Sequence, residues 1–245
     1  MIKRTIQAIR SKNLSGKELT DEKIYDFKRL TLVQGCIILS IFLLNLFTFL
    51  QFPYHIPTAE SIFFMFLGVY VFLLWDMLRN YTSNKNIILI NLVFIMGVFF
   101  IGLIVANPFI PMPVTTTYKL FLAGIMICLL AVECTVIYYT LAEFFKKDLG
   151  MPLRLWGAAC IYLMIGIAFG SVYEFICIMD IQCMGVEIPL QTMAFMKRIE
   201  FSLTVLSGMS SQYSNPSGMI FSLGTIEALW GQIFIVLIVG RLLMK

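Results

Sequence analysis

The sequence predicts an all-α membrane protein with six transmembrane helices and a re-entrant helix and loop between helices 5 and 6. Three observations predict it. Apolar residues make up 60% of the chain and charged residues 13%, whereas a soluble domain needs about a quarter of its residues charged to wet its surface. Six apolar runs approach or exceed the roughly 20 residues needed to cross about 30 Å of hydrocarbon. If all six cross, 15 of the 18 basic residues fall on the same side, which positive-inside bias makes the cytoplasm.

Taken in order, residues 1–29 form a basic, helical, cytoplasmic leader with Lys3, Arg4, Arg10, Lys12, Lys17, Lys23, Lys28 and Arg29. Ile2, Ile6 and Ile9 share a helical face, which suits a short helix lying on anionic lipid; a disordered basic tail is the alternative. Ser15 and Glu18 have the spacing of a capping box, opening a helix that continues into the first span. Residues 30–150 form a four-helix bundle with spans at 30–50, 61–78, 87–106 and 118–142. The last two spans cover 155–179 and 218–243. Each is helical because a spanning segment must satisfy its own backbone hydrogen bonds. Pro53 and Pro57, Asn84 and Asn86, Pro108, Pro111 and Pro113, and Gly150 with Pro152 punctuate the connections. The resulting topology puts both termini in the cytoplasm of a multi-pass protein of the plasma or inner membrane.

Cys36, Cys128, Cys134 and Cys160 sit within apolar runs, where a thiol acts as a small hydrophobe. Cys177 and Cys183 lie near an outer boundary and could pair. The single histidine, His55, stands in a short loop without partners for a metal site or triad. Neither enzyme chemistry nor a cofactor is expected. Nucleic acid is not an expected partner either, because topology accounts for the basic residues.

The connection 180–217 is long yet apolar. Phe195, Met196, Ile199, Phe201, Leu203, Val205 and Leu206 make a segment too short to span and too apolar for a solvated loop. Backbone of this kind is tolerated at membrane depth when it is buried in protein or lines a wet cavity. The expectation is a half-helix that descends to mid-membrane and returns through the small, polar stretch 207–215. A helix resting on the outer surface is the alternative.

Three stretches carry a family resemblance. Ile161 to Tyr173, reading IYLMIGIAFGSVY, resembles the outer helix of the bacterial potassium-channel-like pore domain. Phe201 to Val205, FSLTV, resembles the end of its pore helix. Ile226 to Phe234, IEALWGQIF, followed by Gly240, Arg241 and Leu242, closely resembles its inner helix. The match covers about the last third of the chain. It implies that 151–245 is a pore domain of outer helix, pore helix, filter loop and inner helix. It further implies a homotetrameric ion channel, with monovalent ions and membrane lipids as partners, because one subunit cannot close such a pore.

Where the family reads TVGYGD, this chain reads SGMSSQ: Ser207, Gly208, Met209, Ser210, Ser211 and Gln212, preceded by Thr204 at the pore-helix end. Met209 and Ser211 replace the two glycines whose backbone freedom aims successive carbonyls at the ion. The expected filter is wider, lined by hydroxyls, and passes partly hydrated cations with low selectivity. Gly231 occupies the family's hinge position on the inner helix, where a glycine serves either bending or close packing, and Gln232 beside it is expected to line the cavity. Glu227 matches the family glutamate behind the filter, bonding the pore helix or attracting cations. Glu174 is placed at the outer mouth with Lys197 or Arg198 as its partner. Glu133, in the fourth span, has no partner legible in sequence. That span carries Lys119 and no arginine, so the bundle is not an arginine-rich voltage sensor. Two other readings stand beside the channel. One is a non-conducting scaffold that keeps the pore fold. The other is a small secondary transporter, against which counts the lack of an internal repeat.

Overall fold

The computed structural model describes residues 16–52, 56–105, 115–145, 150–180, 182–186, 192–209 and 216–243. Seven helices are described: α1 Gly16–Phe49, α2 Ile56–Tyr81, α3 Lys85–Val105, α4 Thr116–Phe144, α5 Met151–Met179, α6 Thr192–Leu206 and α7 Gly218–Leu243. Among the described residues, α1, α2, α4, α5 and α7 are long and apolar enough to cross a bilayer, consistent with a multi-pass membrane protein. In α3, the stretch Lys85–Phe100 is apolar but shorter than those five.

Helices α1, α2, α4 and α5 outrun their apolar runs, and the extra turns are tied down by polar pairs. α1 starts at Gly16, one residue after the expected cap; Ser15 and the leader before it lie outside the described residues, as do His55, Lys146 and Lys147. Near this end Lys23 reaches Glu143 of α4 at 2.7 Å and lies over the Tyr81 ring of α2. The Asn80 amide donates to Asp26. Lys28 stands over Trp156, and Arg79 over Trp75. At the far end of α4, the Thr115 hydroxyl accepts from the Tyr118 N–H at 3.4 Å, relieving one donor that the first turn leaves unpaired.

Packing follows stripes of alternating three- and four-residue steps. On α1, Phe27, Leu30, Gln34, Ile37, Ile41 and Leu44 are buried, and Phe63, Tyr70, Leu74 and Met77 answer from α2. Of the five helices long and apolar enough to cross a bilayer, α5 is the most enclosed and α7 the least. α5 contacts α1, α4, α6 and α7 and so joins the bundle to the last two helices.

α6 lies antiparallel to α5 and parallel to α7, a direction fixed by successive contacts. Arg198 meets Glu174, a Cβ at Gly170 would touch Ile199, and one at Gly166 would meet Leu203. At the end of α6, the Tyr162 hydroxyl donates to the Leu206 carbonyl at 3.1 Å. Along α7, Ser202 meets Glu227 and Leu206 meets Gly231. Gly166 and Gly170 give α5 a flat strip on which the shorter helix can lie close. α6 has 15 residues, so it is about 22 Å long. It ends beside Gly231, halfway along the 26 residues of α7.

Candidate functional site

The unit α5–α6–α7 contains most of the site residues singled out in the sequence. Its centre is Glu227, fully buried on the α7 stripe of Ile220, Gly224, Glu227, Gly231 and Phe234. Tyr173 of α5 donates its hydroxyl to Glu227 Oε2 at 2.6 Å. Ser202 of α6 touches Glu227 Oε1 and also reaches the Gly166 carbonyl of α5, at 2.6 Å. One carboxyl therefore joins three helices. It bonds side chains of α5 and α6, and its burial keeps it from facing an open cavity within the protomer.

Glu174 and Arg198 pair with each other, Arg198 Nε lying 3.7 Å from Glu174 Oε2. Both are buried, Arg198 completely. The sequence expectation put Arg198 at an outer mouth; here it turns into the protein, where its charge offsets the cost of burying the Glu174 carboxylate. Lys197 points the other way, to Glu200 at 3.0 Å and to Asn45 of α1, whose amide also bonds Glu200. α6 is thus anchored to the bundle as well as to α5.

The end of α6 departs most from the filter expectation. The Gly208 N–H bonds the Val205 carbonyl at 2.9 Å and the Met209 N–H bonds that of Thr204 at 3.1 Å. With Gly208 at φ 76°, this is the Schellman arrangement that stops a helix on a left-handed glycine. Gly208 therefore closes α6. Ser207 donates its hydroxyl to the Thr204 carbonyl at 2.8 Å, and Thr204 to that of Glu200 at 2.8 Å. Ser207 and Met209 are exposed. Gln232 is exposed on α7 with its amide beside Gly208: a Cβ there would stand 2.8 Å from Gln232 Nε2. At Gly231 a Cβ would strike the Leu206 carbonyl oxygen, so this glycine is where α7 touches the end of α6. Ser210, Ser211 and Gln212 lie outside the described residues.

Cys177 and Cys183 form a disulfide, their Cα atoms 5.3 Å apart. The Ser217 N–H donates to the Cys183 carbonyl at 2.8 Å, so the bridged loop ties the end of α5 to the start of α7. Tyr173, Cys177, Cys183, Met184, Phe201 and Ile220 pack together beneath it.

Sequence reasoning missed the residues that hold Glu133. Tyr70 of α2 donates to Glu133 Oε1 at 3.3 Å, and Ser171 of α5 to Oε2 at 3.2 Å. Ser171, Tyr173 and Glu174 thereby link one short stretch of α5 to the bundle, to α7 and to α6. Tyr70 and Ser171 come from separate helices, and nothing in their local sequence points to a carboxylate.

Comparison with family models, curated proteins and solved structures returns no match.

Proposed function

We propose that the chain is the pore-forming subunit of a homotetrameric ion channel in the plasma or inner membrane, with six spans, both termini cytoplasmic, and α6 as a re-entrant pore helix. One observation carries this reading: α6 starts near the outer end of α5 and stops halfway along α5 and α7. If those two helices cross the bilayer, the end of α6 sits near its middle, and the polar stretch that follows must return from there. Such backbone is tolerated only beside protein or water, and a four-fold ring of these segments supplies both.

Two further features support the reading. The disulfide supports an α5–α6 connection in an oxidising compartment, on the side opposite the basic leader. The C-terminal end of α6 carries negative partial charge, which favours a cation at mid-membrane. Because Gly208 is spent as a helix stop and Met209 follows it, the filter lacks a run of glycines, and low selectivity among monovalent cations follows. The same use of Gly208 favours, as a second reading, a non-conducting scaffold that retains the fold.

Recording from purified protein in planar bilayers separates them. The channel reading expects cation-over-anion permeation with similar reversal potentials in potassium and sodium. A reversal tracking potassium alone would contradict low selectivity, and silence under every tested stimulus would favour the scaffold.

A further inference from the structure

We propose that Glu133, inside the bundle of α1, α2, α4 and α5, binds a proton delivered through a column of polar side chains from the end of the bundle that carries the basic residues. Glu133 is fully buried. It accepts one hydroxyl on each carboxyl oxygen, Tyr70 on Oε1 at 3.3 Å and Ser171 on Oε2 at 3.2 Å. The Ser171 hydroxyl stands equally far, 3.2 Å, from the Ile167 carbonyl. Its one hydrogen therefore has two acceptors. With Glu133 ionised, Ser171 donates to the carboxylate. With a proton on Oε2, Glu133 donates to Ser171, and Ser171 turns to Ile167. Both states keep their hydrogen bonds, and neither needs a helix to move. α4 packs against α2, α3 and α5. Among the described residues, α2 offers Glu133 Tyr70, α5 offers Ser171, and α3 has no titratable side chain after Lys85. Cys134 neighbours it on α4. None of these groups carries a fixed positive charge. Neutralising a carboxylate so placed takes a small positive ion, and a proton is the one that needs no room.

A route for that proton is laid out on the same helices. The Gln34 amide of α1 lies beside the Tyr70 hydroxyl and donates to the Cys160 carbonyl of α5 at 3.3 Å. The Thr31 hydroxyl lies against the Cys160 thiol. Tyr81 of α2 is within electrostatic reach of that thiol and of Asp26 and Glu143, at the end of the bundle where Lys23 meets Glu143. Tyr70 to Tyr81 and Cys160 to Ser171 are each eleven residues, about 16 Å along their helices. Glu133 to Glu143 is ten, about 15 Å, so three helices measure nearly the same depth. Gln34 is completely enclosed, yet its Oε1 has no hydrogen-bond partner among the described residues, and neither has the Tyr81 hydroxyl. Burying such atoms dry is costly, and water bonded to each satisfies them. Water at these two positions links the half-buried Glu143 to Tyr70 and so to Glu133. Hydronium from the aqueous phase gives its proton to Glu133 Oε2 and remains as water; the reverse step releases it. No other side chain changes its charge. The proposal requires the bundle to lie in lipid, and it stands whether or not the chain conducts through a central pore.

Infrared spectroscopy of the full-length protein in lipid vesicles tests this, with the Glu133→Gln variant subtracted to isolate the carbonyl stretch of a protonated Glu133. That band is expected in the parent protein, its protonated-to-ionised ratio falling about tenfold for each unit of rising pH across the titration. In heavy water the band should shift promptly. Gln34→Leu combined with Tyr81→Phe should slow that shift while leaving the titration in place. If the double variant does not fold, Tyr81→Phe, which removes only a hydroxyl, carries the comparison. A band that is absent or constant at every pH would overturn the proposal and leave Glu133 as a structural link between α2 and α5. So would a band that never shifts in heavy water, the mark of a sealed carboxyl. Exchange at the parent's rate in the variants would overturn it as well, because the proton would then arrive by another route.

Discussion

Tyr173 and Glu227, fifty-four residues apart in sequence, meet through a 2.6 Å hydrogen bond that joins α5 to α7 with Ser202 of α6 on the other carboxyl oxygen. Ser202 has one hydroxyl hydrogen for two acceptors, Glu227 and the Gly166 carbonyl, and both contacts are completed when the carboxyl carries a proton. An amide imitates that state. Glu227→Gln should therefore change stability by less than about 1 kcal/mol, while Glu227→Ala, which leaves the buried Tyr173 hydroxyl without its acceptor, should cost about 1–3 kcal/mol. Thermal unfolding in detergent measures both.

Gly231→Ala should be far more damaging than the same change at Gly240. The added methyl meets the Leu206 carbonyl oxygen at the first position and open space at the second. Overpacking of this kind costs about 1–3 kcal/mol. Unfolding midpoints of the two variants are expected to separate, with Gly240→Ala at or above the parent protein.

The Arg198–Glu174 pair is fully enclosed, so removing one partner strands the other. Arg198→Met is expected to lower stability by about 3–5 kcal/mol, and adding Glu174→Gln should recover most of the loss. A double-mutant cycle reads the coupling directly. Additive losses would show that the two side chains do not depend on each other.

The disulfide gives a chemical handle on topology. In unfolded, unreduced protein, Cys36, Cys128, Cys134 and Cys160 should react with a maleimide, and Cys177 and Cys183 should join them only after reduction. Replacing both with serine opens a loop with a sequence separation of 6, which chain-entropy arguments put at about 2 kcal/mol.

How much of this was legible in the sequence depends on the kind of signal. Five helices able to cross a bilayer were readable because length and apolarity alone define them, and α7 runs over the same 218–243 that its hydropathy marks, while the sixth expected span, 87–106, falls on α3, whose apolar stretch is shorter than those five. Glu174 was offered Lys197 or Arg198 as a partner, and it meets Arg198, because a charged carboxylate among apolar residues is costly unless paired. Which faces meet was not readable. Helices that are apolar all round carry no stripe that distinguishes protein from lipid, so Tyr70 and Ser171 could not be assigned to Glu133. The role of Gly208 as a helix cap was not readable for a different reason: it rests on backbone hydrogen bonds and a positive φ that the sequence does not specify.

The most direct test of the central claim is a density map of the protein in lipid nanodiscs. The account predicts four copies around one axis, with Leu206 to Met209 of each converging on it near the middle of the slab. Density that lays α6 flat among the headgroups, or a protomer standing alone with nothing gathered about an axis, would contradict it.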